Sequence, residues 1–335
     1  MKMAKGYNAT EYMYSSARIR ALETKIATRE QIARMVEAQS SDSIAAQLSD
    51  FGFDAVYGGG KLSREDTLMS VLKAGFSDLD GMECAQAVEF LKYQYDCNNI
   101  KSLIKCEARG ISADGMLLDL GSVSIEKARE AFATKDYSAF PQNMAAAIPE
   151  AEEAFAATAN PQKIDFIIDK ATFADMLCSA SRSGVPLAYE LALARVDLVN
   201  ITMAARLIRM KLGAQASALF DEVYIDGGRI EKDMLTEAIS EGNETLADML
   251  QYTDYSAMCE LIASDASLGA LEKKADDIWI NLARKACYIP FGAEVAIGYI
   301  CALEYEVKNI RIILAGKDAG LSSDIIRERL RECYV

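Results

Sequence analysis

Three stretches of this chain of 335 residues place an acid three positions ahead of an asparagine, with isoleucine next: Asp96-x-x-Asn99-Ile100, Asp197-x-x-Asn200-Ile201 and Glu306-x-x-Asn309-Ile310. On a helix, positions i and i+3 share a face, so each pair presents a carboxylate beside a carboxamide. Two chemistries suit that pairing. If three elements brought Asp96, Asp197 and Glu306 together, the acids could hold a ligand. If each pair acts alone, it ties its helix to a neighbouring segment by the hydrogen bonds that buried polar groups require. The third copy exchanges Asp for Glu, and Thr202 stands where the other copies have Lys101 and Arg311. Such exchanges do not suit an exacting ligand geometry, so the structural role is the expectation.

Other chemistry is excluded or weak. The chain has no histidine, which removes Ser/His/Asp, Cys/His and His-ligated zinc schemes. Gly58-Gly59-Gly60-Lys61 resembles a phosphate loop, but Ala55 and Leu62 occupy positions that need Gly and Ser or Thr, so a turn is expected. Asp276-Asp277-Ile278-Trp279-Ile280 resembles the Mg²⁺-diphosphate motif of helical isoprenoid synthases. It lacks the third acid at Ile280, and no second cluster answers it. A solvated helix face beside a buried Trp279 is expected there. The eight cysteines include no C-x-x-C pair, and a reduced cytoplasmic protein is the simple reading. Neither a metal nor an organic cofactor is expected.

The elements that must position these residues are helices. Apolar residues recur at steps of three and four in Phe90, Tyr93, Cys97, Ile100 and Ile104. The same spacing runs through Leu191, Ala194, Leu198, Ile201, Ala205 and Ile208, and through Ile300, Leu303, Val307, Ile310 and Leu314. The second series extends to Leu187 and Leu212, and the third helix could run from Phe291 to Gly316. Gly110, Gly213 and Gly320 are placed to cap the three helices. Strand-like alternation is almost absent, and Ala145–Gln162 is expected to be a loose connection. Ser63-x-x-Asp66 is a candidate capping box.

The acid–asparagine motif is one part of a longer repeat. Ile125-Glu126-Lys127 answers Ile230-Glu231-Lys232, with Thr28-Arg29-Glu30 as a weaker copy, and Tyr137-Ser138-Ala139-Phe140 answers Tyr255-Ser256-Ala257-Met258. Asn99 and Asn200 are 101 positions apart, and Asn200 and Asn309 are 109. A period of that length fits a domain better than a solenoid repeat. The expected organisation is all-α, with helical units at 1–118, 119–222 and 223–335.

A hydrophobic fraction of 51% indicates a folded globular chain, and the net charge of −14 disfavours a nucleic-acid partner. The longest apolar run, Val295–Leu303, is about half a membrane span, and no signal-peptide core is seen near Met1–Ser16, so neither secretion nor a membrane span is expected.

On these residues the chain resembles the C subunit of the bacterial and archaeal A/V-type rotary ATPases, the counterpart of the d subunit of eukaryotic V-ATPases. The resemblance rests on four stretches in order: Tyr12-x-Tyr14-x-x-Ala17-Arg18-Ile19-Arg20-Ala21-Leu22-Glu23; Asp165-x-x-Ile168-Asp169-Lys170-x-x-Phe173; Val196-Asp197-Leu198-Val199-Asn200-Ile201; and Glu306-x-x-Asn309-Ile310-Arg311-x-Ile313 with Gly316 and Gly320. The second copy departs from the pattern at Thr202 and Ala205.

The resemblance implies a non-catalytic rotor part shaped as a three-lobed funnel with pseudo-threefold symmetry. It implies that central-stalk subunits of the D/F type enter the cavity, and that the membrane proteolipid ring lies on the opposite face. The chain would then be a single-copy peripheral subunit on the cytoplasmic side, monomeric when isolated, serving proton or sodium transport or ATP synthesis. A Mg-dependent isoprenoid-type enzyme and a generic helical scaffold are the competing readings.

Overall fold

The computed structural model describes residues 9–40, 43–44, 48 and 64–335. The glycine run at 58–60 and Ser63 lie outside the described residues. Among those described, every regular element is a helix. Before Val88 stand α1 (Met13–Glu23), α2 (Arg29–Glu37) and α3 (Arg64–Ser77). Then come α4 (Glu89–Arg109), α5 (Ile125–Thr134), α6 (Gln142–Thr158), α7 (Pro161–Ser183) and α8 (Pro186–Met210). They are followed by α9 (Ala214–Val223), α10 (Lys232–Glu241), α11 (Asn243–Leu250) and α12 (Cys259–Ala263), and finally by α13 (Leu268–Ala283), α14 (Glu294–Asp318) and α15 (Ser323–Arg329).

The helix ends follow local chemistry. Thr28 and Gln31 form a reciprocal capping box ahead of α2. Ser124, Asn160, Ser267 and Ser322 accept backbone N–H bonds at the starts of α5, α7, α13 and α15. Pro161 and Pro186 open α7 and α8, where a missing N–H costs nothing. Gly110 and Gly320 adopt left-handed φ of 64° and 68° just past α4 and α14. Gly213 differs from the expectation. Lys211 takes the left-handed cap of α8, and Gly213 instead precedes α9.

The helices gather into two compact units. One holds Val88–Asp265. Its central element, α7, contacts α4, α6 and α8. Phe90, Ile100, Met144, Ile148, Ile164, Ile168 and Leu191 are buried there, each contributing about 1.5–3 kcal/mol. The segment expected to be loose is the ordered helix α6. Met144, Ala147, Ile148 and Ala151 supply its buried stripe, and that burial carries the helix past Pro149.

The other unit joins the described residues before Val88 to Ala266–Val335. It is built around α14, which contacts α1, α2, α3, α13 and α15. That helix is buried on nearly every side, which explains its continuous apolar sequence without any need for a membrane. No helix among the described residues is long and apolar enough to cross a membrane.

Candidate functional site

The repeated pairs sit near the middle of α4, α8 and α14. All six residues are buried. The amide members make one contact three times. Asn99 Nδ2 donates to the Leu118 carbonyl at 2.8 Å, and Leu118 N–H returns a bond to Oδ1 at 2.8 Å. Asn200 does the same with Ile225, at 2.8 and 3.0 Å. Asn309 does it with Arg331, at 3.1 and 2.9 Å. A carboxamide carries both the donor and the acceptor that such an exchange with a peptide group requires.

The acids bind the amides that precede the next helix. Asp96 accepts from Ser122 N–H at 2.9 Å, Ser122 Oγ–H at 2.6 Å and Val123 N–H at 3.2 Å. Asp197 accepts from Arg229 N–H at 2.8 Å, Ile230 N–H at 3.1 Å and the Tyr255 hydroxyl at 2.6 Å. Glu306 accepts from Ala27 N–H at 2.7 Å. In the first two copies one connecting segment answers both the asparagine and the acid. In the third, the C-terminal tail answers Asn309 and the segment between α1 and α2 answers Glu306.

The approach in the first two copies depends on glycine. A Cβ at Gly121 would collide with the Asp96 carboxylate, and one at Gly228 with that of Asp197. The clamp therefore aligns Gly121-Ser122-Val123 with Gly228-Arg229-Ile230. The sequence match of Ile125 to Ile230 is two residues out of that register, which the helices themselves share: α5 starts at Ile125 and α10 at Lys232, each two residues after the clamped Val123 or Ile230. The third equivalent is Lys25-Ile26-Ala27, where glycine is absent and the acid is one methylene longer.

Burial pushes the Asp96 carboxyl above its ordinary range, against the pull of its Ser122 and Val123 bonds. Burial also carries Glu306 up to about 8, with only the Ala27 amide opposing it. The Tyr255 hydroxyl is pushed up by burial and by the Asp197 carboxylate it faces.

Asp276 and Asp277 correct an expectation. Both are only 7% exposed rather than solvated. Asp276 Oδ2 takes Lys308 Nζ at 2.5 Å and Arg331 Nε at 2.9 Å, and Asp277 takes Glu332 N–H at 2.7 Å and Lys273 Nζ at 2.9 Å. They hold the C-terminal tail in place, and Trp279 stacks on Tyr305 alongside, with ring centroids 5.7 Å apart. Their bonding capacity is spent on protein groups.

The N-terminal motif is divided in its roles. Tyr12 is half-buried, and burial raises its hydroxyl. Tyr14 is 70% exposed. Arg18 faces Asp78 at 3.6 Å. Arg20 donates to the carbonyls of Ala286 and Ile289 at 2.7 and 2.9 Å and pairs with Glu23 at 2.6 Å, while Ser16 bonds Gly292. These bonds fix the turn that carries Tyr288, which is 89% exposed, and Phe291. On α4, Lys101 meets Asp169 and Lys105 meets Asp165, both at 2.5 Å, which places two acids of the second motif against α4. Such part-exposed pairs contribute little stability but set register. Arg311 makes the comparable reach to Glu65.

What this geometry offers is internal fastening. No nucleophile–base pair is formed by these residues, and among the described residues no three potential ligands converge on a metal position.

Comparison with known proteins places the fastening in context. The family model of the ATP synthase (C/AC39) subunit matches residues 15–329. The chain belongs to that family. It is thus a non-catalytic subunit of the V/A-type rotary ATPases. Among its relatives, the C subunit of the V-type sodium ATPase of Enterococcus hirae is 25% identical over 334 residues, covering 97% of this chain and 99% of the relative. The C subunit of the A-type ATP synthase of Methanocaldococcus jannaschii is 24% identical, over 95% and 86% of the two chains. That of the V-type ATP synthase of Thermus thermophilus is 23% identical, over 74% and 75%. The family match spans both sides of all three acid clamps.

Proposed function

We propose that this subunit is the socket that couples the central stalk to the membrane proteolipid ring, transmitting torque for ATP-driven ion transport or for ATP synthesis. The observation that carries the reading is the end-to-end match to the C subunit of a V-type sodium ATPase. The reading places the chain as a peripheral subunit on the cytoplasmic side, in one copy per complex. D/F-type stalk subunits occupy its cavity, and the ring lies on its opposite face.

The internal contacts support a pseudo-threefold funnel made of helical units 1–118, 119–222 and 223–335. The clamp of the first unit closes on the second at Ser122 and Val123, and that of the second closes on the third at Arg229 and Ile230. The third closes on the first at Ala27. The same kind of contact thus recurs once per unit, the last one joining the third unit to the first.

The test is reconstitution. The purified chain is expected to co-elute with the stalk subunits and with the detergent-solubilised ring. A complex lacking it is expected to hydrolyse ATP in its soluble head without pumping ions. Failure to bind either partner, or full ion pumping without the chain, overturns the proposal.

A further inference from the structure

The three clamps are equivalent in position but not in the number of bonds they make. Asp96 and Asp197 each accept three hydrogen bonds. Among the described residues Glu306 accepts one. The cause is local. Ile26 stands where Ser122 and Arg229 stand in the other copies, and its N–H is already spent on the Glu23 carbonyl at 3.1 Å, while Lys25 N–H is spent on Leu22 at 3.0 Å. Helix α1 ends so close to the clamp that its last turn consumes the amides the acid would need. Lys25 also replaces the glycine that lets the chain approach, and the longer Glu306 spans the added gap. A carboxylate is held in a protein interior by donors, and this one, 6% exposed, has lost two of three.

We propose that Glu306 is a proton-dependent latch: its neutral form lets the segment joining α1 to α2 close on α14, and its ionised form releases that segment.

The surroundings do not supply the missing donors. From α1 come Glu23 and its partner Arg20, and from α2 comes Arg29, which pairs with Glu332 of the tail. The tail also brings Cys333, whose thiol is raised by burial and feels Arg29, Arg284 and Glu306. Tyr299 precedes Glu306 on α14, Asp78 follows α3, and Arg327 of α15 is engaged by Glu37 and Asp324. Among the described residues none of these bonds the Glu306 carboxyl. Its raised value of about 8, set by burial, puts the transition within reach of mild alkalinity. Release would free α1, and with it the Ser16 and Arg20 bonds that fix the turn carrying the exposed Tyr288 and Phe291.

The test is hydrogen exchange on the full chain from about pH 6 to about pH 9.5, corrected for the intrinsic pH dependence of the amide rate. Peptides holding Ala27 are expected to lose at least about tenfold in protection over that range, while those holding Val123 and Ile230 hold theirs. Glu306→Gln, neutral at every pH, is expected to abolish the loss. Equal pH responses at the three clamps, or an unchanged response in Glu306→Gln, overturns the proposal. Should Glu306→Gln fail to fold, the comparison among Ala27, Val123 and Ile230 in the unmodified chain decides alone.

Discussion

Asn309 and Arg331 exchange two hydrogen bonds, side chain to carbonyl at 3.1 Å and amide to side chain at 2.9 Å, so that the carboxamide stands in for a peptide group of a neighbouring strand of chain. Asn99 and Asn200 do the same for Leu118 and Ile225. A leucine of similar size leaves one buried N–H and one buried C=O without partners. Asn200→Leu is therefore expected to cost about 2–4 kcal/mol, read by urea unfolding. It is expected to leave the choice of binding partners unchanged in any protein that remains folded. Normal stability with lost assembly would sink this structural assignment.

The clamp glycines give a steric prediction with a built-in control. Gly228→Ala drives a methyl into the Asp197 carboxylate and is expected to lose about 2 kcal/mol or more. Gly269→Ala, near the start of α13, meets only Ser267 Oγ at 4.0 Å and is expected to be neutral or to gain up to about 1 kcal/mol. Thermal melts of the two variants should move in opposite directions, or only the first should move.

Asp276 joins Lys308, Arg331 and Tyr305 at one buried point. Asp276→Asn leaves two cations facing a neutral group and is expected to cost about 3 kcal/mol. Because Arg331 also sits in the Asn309 clamp, the tail from Leu330 onward should become susceptible to carboxypeptidase in this variant. Added Mg²⁺ is expected to leave the melting temperature of the unmodified chain unchanged; a stabilisation that depends on Asp276 would reopen the metal reading.

The sign of the pH dependence follows from Glu306. Its folded value of about 8 exceeds its ordinary 4.5, so between those values the folded chain keeps a proton that the unfolded chain has released. Stability from this group is complete below about pH 4.5, declines as pH rises, and is level again above about pH 8. Guanidinium titrations across that window should show a loss of a few kcal/mol in the unmodified chain that is markedly smaller in Glu306→Gln, where the raised Asp96 still contributes.

Much of this was legible in the linear sequence, and the exceptions share a cause. The long helices could be read because their stripes repeat every three or four residues, and the acid–asparagine pairs because they recur in step with those stripes. The burial of Asp276 and Asp277 could not be read. Their partners Lys308, Arg331 and Glu332 lie 32 to 55 positions away and follow no period. Helix α6 was obscured by Pro149 and by a composition of small residues, whose spacing carried the signal that their identity hid. At Gly213 the cap moved two residues earlier, because Lys211 tolerates φ of 52° where α8 ends. The weak third copy at Thr28 was visible, but its register became clear only once the carboxylate of Glu306 was seen to select Ala27.

That last contact sets an order of events during synthesis. Ala27 and Glu306 are separated by 279 positions. At a ribosomal rate of about 5–20 residues per second, the N-terminal helices emerge on the order of 15 to 60 s before the helix that receives them. The unit holding Val88–Asp265 has all its own partners by then and can be complete. Through that interval Ile19, Ile32, Met35 and Val36, all buried in the finished chain, lack the long helix they pack around and must be kept from other surfaces. The helices α1 and α2, made well before α14, are among the last to fold.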